Sequence, residues 1–377
     1  MSDQNSLDKK TGKGSSFLAR ASEELLAIKN DRALSKVASR TFWAAVKKIP
    51  VAGDLLEILG EALAGLADRE RDFRQRRLED YICGLIEINR KDLDIQDDDL
   101  LVAIRRVIQD DEVGKAEYYA RLTVRMVESE VDMRDKLHFL SMLSELTCSQ
   151  IEYALAFYIR DTVPLCGYPD CASAVNEWVS QSDGRSLRAR SNLVSWGLLQ
   201  EEQLVAGLDG ASGIAYRRTE DLERMITFLF EETDRQPNVI GKQTKAAFDV
   251  IIIDHMKSTD DLYLEHLRLK LEKAQLSVDI ASRTSDHQVQ KIARLYVWNN
   301  LLKDNSPGIN KEFVQIKILD APPSVGMPRS DSLRTFKLEL EQFNNNENPN
   351  RQCAGSTAEL IKVLDMVADR LITLLRQ

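Results

Sequence analysis

The chain has 377 residues, 43% of them hydrophobic and 29% charged, so it can bury a core and is not disordered throughout. Its formal net charge of -9 argues against a polyanion-binding surface over the whole protein, although a local basic patch is compatible with it. With 17 glycines and 9 prolines, both below average usage, long helices are favoured over turn-rich sheets. The length is typical of about two to three domains.

The sequence predicts a cytoplasmic protein with reduced thiols. Residues 1–16 are polar and lack the apolar core of a signal peptide, and no stretch approaches the roughly 18 apolar residues of a membrane-spanning helix. Of the five cysteines, only Cys166 and Cys171, in CGYPDC, lie close together. A zinc site would need further soft ligands nearby, and the histidines lie elsewhere. We therefore expect no metal site and no cofactor.

The first half of the chain predicts a helical bundle. After a disordered tail over 1–16, apolar residues recur at helical spacing through 17–164, and Thr147 and Gln150 form a capping-box pattern. The segment 51–66, VAGDLLEILGEALAGL, has an acidic face among leucines. It is either a membrane-active amphipathic helix or a helix buried in the bundle. Interfacial helices usually carry Lys and Arg on their polar face, so the buried helix is favoured.

Residues 165–235 predict a winged-helix-like module. A helix through Leu187–Trp196 ends at Gly197, two strands flank the tip GLDGASG, and a helix capped by Thr219 follows. The candidate nucleic-acid-binding residues are Arg185, Arg188, Arg190, Arg217 and Arg218. Over residues 184–218 these five arginines stand against Glu201, Glu202 and Asp209, a net charge of +2, which is low for a dedicated duplex reader. Structural or protein-binding use is therefore favoured over nucleic-acid contact, and both stay open.

Residues 236–377 predict a small α/β domain with a parallel sheet. KAAFDVIIIDH, LSVDIAS and Glu312–Leu319 are the expected strands, whereas Thr259–Gln275 and Gln288–Leu302 are the expected helices. Alternation of strands and helices at these lengths is typical of right-handed parallel crossovers. The expected fold is thus mainly α, with a C-terminal α/β part.

The strand ends of this predicted domain hold the weak catalytic candidates. Ligands of open α/β sheets bind beyond the carboxyl ends of the strands, where Asp254, His255 and Asp320 are expected. Such residues are also common as caps and turns. No phosphate-binding glycine loop, GxSxG elbow or HExxH motif accompanies them, so an enzymatic function is not favoured.

The last helix predicts self-association. A capping box, Ser356 to Glu359, opens it, and a heptad seam follows. The seam comprises Leu360, Leu364, Val367, Leu371 and Leu374. Other apolar residues of the helix, among them Met366, extend its apolar surface beyond the seam. We therefore expect one face of the helix to pack on the sheet and a second face to pack against a second chain. The alternative is that the helical bundle of the same chain covers the second face.

The order of several segments resembles a known family. PVAGD, KAEYYARLTVRMVES, LSELTCSQIEYALAFY and NLVSWGLLQEE follow one another as in bacterial abortive-infection proteins of the alpha type, over about residues 50–230. The resemblance implies a helical segment with a winged-helix-like tail and a link to phage defence. It implies no functional residue.

Three functions stay open. The favoured one is a non-enzymatic bacterial immunity or regulatory protein that acts through protein contacts, with DNA or RNA as a further partner. The second is a toxic effector whose α/β domain is a hydrolase or a nucleotide-binding enzyme. The third is a membrane-perturbing effector that uses residues 51–66.

Overall fold

The structure is mostly helical, with a mixed five-stranded sheet in the C-terminal half. It is a computed structural model that describes residues 68–88, 97–204, 213–253, 262–281, 289–304, 311–322, 334–340 and 357–377. The chain divides into two compact units, one of residues 1–158 and 179–236 and one of 159–178 and 237–377. The predicted tail, the helical pattern before residue 68 and the segment 51–66 lie outside the described residues.

The first unit contains helices that follow the apolar spacing of the sequence. They are α1 (Asp68–Ile88), α2 (Asp97–Gln109), α3 (Lys115–Glu128), α4 (Met133–Glu145) and the beginning of α5 (Cys148–Thr162). Helices α1 and α3 approach each other so closely at Gly84 that a Cβ on this residue would lie 2.9 Å from Cβ of Ala120. The predicted capping box before α5 is confirmed: the Thr147 amide donates to Gln150 Oε1 (3.0 Å) and the Gln150 amide donates to Thr147 Oγ1 (3.3 Å).

A buried ion pair joins α3 to the end of α2. The Lys115 ammonium donates to Asp110 Oδ2 (2.9 Å), and both side chains are 4% exposed. The same oxygen accepts the Tyr119 hydroxyl (2.9 Å), and Oδ1 accepts the Glu112 amide (2.9 Å). Burial and the Asp110 carboxylate raise the pKa of Tyr119 above its usual range. Lys115 also donates to the Ser144 carbonyl near the end of α4 (3.2 Å), so one carboxylate organises three helices.

The same unit holds a helix, a two-stranded ribbon and a second helix. These are α7 (Gly184–Ser195), β1 (Leu199–Leu204), β2 (Gly213–Arg218) and α8 (Glu220–Leu229). The strands are antiparallel, and the Thr219 hydroxyl accepts the Leu222 amide (3.3 Å) at the start of α8. The predicted order and the predicted cap are both confirmed.

Residues 159–178 belong with the C-terminal sheet. They include the end of α5 and most of α6 (Cys171–Val179). The Cys166 amide donates to the Gln243 carbonyl (2.8 Å), and the buried Lys245 ammonium donates to the Pro169 carbonyl (2.8 Å). Burial raises the pKa of the Cys171 thiol. Cys166 and Cys171 are both reduced. The predicted boundary at 235/236 lies next to the observed division at 236/237, whereas the one at 164/165 does not match an observed division.

The sheet of the second unit is mixed rather than parallel. Its strands are β3 (Ala246–Ile253), β4 (Val278–Ala281), β5 (Lys291–Asp304), β6 (Lys311–Leu319) and β7 (Arg334–Leu340). They lie in the order β4-β3-β5-β6-β7, with parallel pairing among the first three and antiparallel pairing beyond β5. The predicted helix Gln288–Leu302 is wrong, because most of that segment is β5. Its apolar pattern is compatible with both the helical and the strand periodicity, and the segment is a strand because it pairs with β3 and β6.

Two helices cover one face of this sheet. They are α9 (Leu262–Lys273) and α10 (Thr357–Arg376), which share an apolar core with alternate residues of β3, β5 and β6. Leu364, Val367 and Leu371 of the predicted heptad seam are fully buried in this core, and Leu360 and Leu374 pack against it. The seam is therefore occupied within the chain. Met366, an apolar residue of the same helix outside the seam, is 49% exposed.

The Asp110 network yields a test of what holds the first unit together. We expect Asp110→Ala to lower the free energy of unfolding by about 3–5 kcal/mol, because it leaves the buried Lys115 ammonium without its counter-charge. Asp111→Ala is the matched control: this neighbouring carboxylate is exposed, and its loss should cost no more than about 0.5 kcal/mol. Urea unfolding followed by far-ultraviolet circular dichroism measures both. Equal losses in the two variants would contradict the assignment.

Candidate nucleic-acid interface

Both ends of α7 are defined by local hydrogen bonds. The Asp183 carboxylate accepts the amides of Arg185 (3.0 Å) and Ser186 (3.1 Å) at the N-terminus, and hydrogen bonds from Ser186 lower the pKa of Asp183. At the C-terminus Gly197 has φ +71°, and its amide donates to the Val194 carbonyl (2.9 Å). The Leu198 amide donates to the Leu193 carbonyl (2.8 Å), and the two hydrogen bonds together form a Schellman motif. The predicted helix stop at Gly197 is confirmed.

The exposed face of α7 is cationic and hydroxylated. Its exposed side chains are Arg185, Leu187, Arg188, Ser191 and Ser195. Helix α7 contains no acidic residue. Within the part of the chain that the structure describes, the side chains of Arg185 and Arg188 make no hydrogen bond or ion pair. Both guanidinium groups are therefore available to an external anion.

Arg190 lies on the opposite, buried face of α7. It is 7% exposed, its Nη1 donates to the Gln181 carbonyl (2.9 Å), and its guanidinium lies 5.9 Å from the Tyr216 ring centroid. Helical spacing places it beside the buried residues Ser186 and Leu193. The prediction that Arg190 contacts nucleic acid is incompatible with this burial, and its role is in packing.

The two ribbon arginines are both paired. Arg217 Nε donates to Glu202 (2.8 Å), although the Arg217 side chain is 70% exposed. Arg218 pairs with Glu223 (2.9 Å) and lies over the ring of Tyr158. Exposed ion pairs are worth at most about 1 kcal/mol, so Arg217 can exchange its carboxylate for another anion. Arg218 is the less available of the two.

Arginines of α3 anchor the segment that follows α8. Arg121 donates to the Leu229 carbonyl (3.0 Å) and to Asp234 (2.6 Å), and Arg125 Nη2 donates to both carboxylate oxygens of Glu231 (2.7 and 2.8 Å). Sequence reasoning missed these contacts, because they join residues far apart in the chain. They fix the helix–ribbon–helix segment on the bundle.

A second missed feature is an aromatic contact at the end of α7. Trp196, the residue after the helix, has its ring centroid 6.0 Å from that of His138 on α4. Both side chains are partly exposed. An aromatic residue at a helix end is unremarkable in the sequence, so nothing pointed to this pair.

Of the three catalytic candidates, the structure describes only Asp320. Asp254 and His255 lie outside the described residues. Asp320 is exposed, but it follows β6, which runs antiparallel to β5. Leu319 pairs with Tyr296, which pairs with Ile251 inside β3. Asp320 is therefore not at the carboxyl edge of the parallel strands, contrary to expectation. The described residues contain no cluster of metal-ligating side chains.

Comparison with known proteins found no matching family, no matching curated protein and no matching solved structure. Among the helices of the described residues, none is long and apolar enough to cross a membrane.

The end of α7 offers a test with two glycines. We expect Gly197→Ala to cost about 1–2 kcal/mol of stability, because alanine is strained at φ +71° although its Cβ would meet no atom within 4 Å. Gly184→Ala is the control, since that Cβ also meets nothing and the residue begins the helix. It should be neutral or stabilise by up to about 1 kcal/mol. Thermal unfolding compares the two; an unchanged Gly197→Ala midpoint would refute the strained helix end.

Proposed function

We propose that this protein is a non-enzymatic regulatory protein that binds nucleic acid through a winged-helix-like module with α7 as its contact helix. One observation carries the proposal: the exposed face of α7 presents Arg185 and Arg188, which have no side-chain partner among the described residues and no acidic neighbour in the helix. The order of helix, antiparallel ribbon and capped helix supports the winged-helix-like assignment.

The chemistry of this face suits a phosphate backbone. The planar guanidinium of arginine donates hydrogen bonds to phosphate oxygens, and serine hydroxyls can donate to the same oxygens. Arg185 and Arg188 are three residues apart, so they project from one side of the helix. Arg217 on β2 is exposed and adds a third cation when its pair with Glu202 exchanges. These contacts fix a strand in position and carry no sequence information by themselves.

The biological setting is a further part of the proposal. A role in bacterial immunity rests on the sequence resemblance to abortive-infection proteins over about residues 50–230, and the proposed place of action is the cytoplasm. Self-association through α10 stays a proposal too. Its support is reduced to the exposed Met366, because the heptad seam packs within the chain.

A protein partner is the second candidate for the same module. Leu187 on α7 and Ile214 on β2 are 50% and 55% exposed, so both apolar side chains are accessible to a protein partner. An apolar partner would depend on these two residues and little on salt. A nucleic acid would depend on the arginines and strongly on salt.

The test removes the unpaired arginines. We expect Arg185→Ala with Arg188→Ala to weaken binding of fluorescein-labelled DNA or RNA and to reduce the slope of log K against log salt by up to about 2, roughly one unit for each lost phosphate contact. Fluorescence anisotropy over a salt series measures both effects.

The matched control is Arg76→Ala with Arg105→Ala. It removes two exposed arginines of α1 and α2 and changes the net charge equally. An equal loss in this control would assign the effect to overall charge rather than to α7. If the wild-type protein binds neither duplex nor single-stranded nucleic acid at low salt, the proposal is wrong.

A further inference from the structure

We infer that the nucleic acid bound at α7 is single-stranded and that one unpaired base stacks on the ring pair of His138 and Trp196. This inference rests on the proposed nucleic-acid binding and goes beyond it, because it names the strand state and the residues that recognise a base.

The ring pair has the properties of an open stacking platform. The two ring centroids are 6.0 Å apart at an interplanar angle of 57°, and both side chains are partly exposed. Within the described residues, neither the indole N–H nor the imidazole nitrogens have a hydrogen-bond partner, and neither group is buried. Buried tryptophan usually finds a partner for its N–H. Here His138 also packs against the Phe139 ring (centroids 5.7 Å apart), so part of each ring remains exposed at the end of the cationic helix, and no described residue accepts the indole N–H.

Helix geometry places Trp196 in line with Arg185. The two are eleven residues apart, about three full turns, so they lie within about 20° of each other around α7, and Arg188 lies about 80° away. Along the helix axis Trp196 is about 12 Å from Arg188. A strand that runs along α7 therefore meets Arg185 and Arg188 through its phosphates and reaches the two rings at the C-terminal end of the helix.

The charges around His138 do not oppose a polyanion. Asp135, three residues before it on α4, pairs with Arg224 (3.0 Å), whose guanidinium also lies 3.9 Å from Asp221 and over the Phe139 ring. Arg134, one turn before His138, is exposed. The approach to the rings is thus bordered by a paired carboxylate and a cation.

The number of cations favours an unpaired strand over a duplex. A dedicated duplex reader concentrates more positive charge than the two unpaired arginines of α7. In a duplex the base faces are hidden by stacking, so an aromatic platform has nothing to contact. On an unpaired strand, each base stacked on an aromatic ring is worth roughly 5- to 150-fold in affinity, which compensates for few phosphate contacts.

The experiment compares a labelled oligothymidine with a mixed-sequence duplex of equal length on the full chain. We expect the single strand to bind more tightly. Trp196→Leu should weaken binding of the single strand by roughly 5- to 150-fold and leave duplex binding unchanged. Trp196→Phe keeps an aromatic ring and should retain most of the affinity. Quenching of tryptophan fluorescence by oligothymidine should be smaller in Trp196→Phe than in the wild type.

A second variant distinguishes loss of stacking from a folding defect of Trp196→Leu. His138→Leu removes the other ring without changing the end of α7, and it should also weaken the single strand selectively. Equal affinity for the two probes, with no effect of either ring variant, would overturn the inference while leaving the proposed function intact. Loss of binding to both probes in the wild type would overturn the proposed function itself, so the two failures are distinguishable.

Discussion

A buried carboxylate orients α3, the helix whose arginines hold the segment that follows α8. Asp110 accepts hydrogen bonds from Lys115, Tyr119 and the Glu112 amide, and together they fix the start of α3 at the end of α2. Replacing a buried ion pair by apolar residues is often neutral or stabilising, so such a pair is better explained by geometry than by added stability. Here it orients α3. That helix in turn carries Arg121, one of the arginines that hold the segment after α8.

The elements of the helix–ribbon–helix segment were predictable because their signals are local. Asp183, Gly197 and Thr219 each act through main-chain groups within a few residues, so the sequence shows where α7 and α8 begin and where α7 ends. Which arginines of α7 are exposed follows from their helical spacing. The helical spacing that exposes Arg188 buries Arg190, and this difference could be read from the sequence by placing both on a helical wheel. The contact between α4 and Trp196 has no local signal.

The C-terminal sheet shows where local reasoning fails. Val250 to Ile253 are completely buried, as the continuous apolar run of β3 predicts. The stretch that became β5 has an apolar pattern that fits a helix equally well, and its state is set by pairing with β3 on one side and β6 on the other. Reading it as a helix made the predicted sheet parallel. That error also placed Asp320 at the carboxyl edge of the sheet, where the observed pairing of β6 does not put it.

The overall acidity of the chain shapes how a cationic helix face can act. A net charge of -9 repels a polyanion at long range, but at physiological ionic strength this repulsion is screened beyond about 8 Å. Contacts of the unpaired arginines act within that distance and also weaken as salt rises. Stacking on an aromatic ring depends little on charge, since it involves the faces of uncharged bases. In the proposed complex, a platform at the end of α7 would therefore supply the salt-insensitive part of the affinity, which two arginines on an acidic protein do not provide.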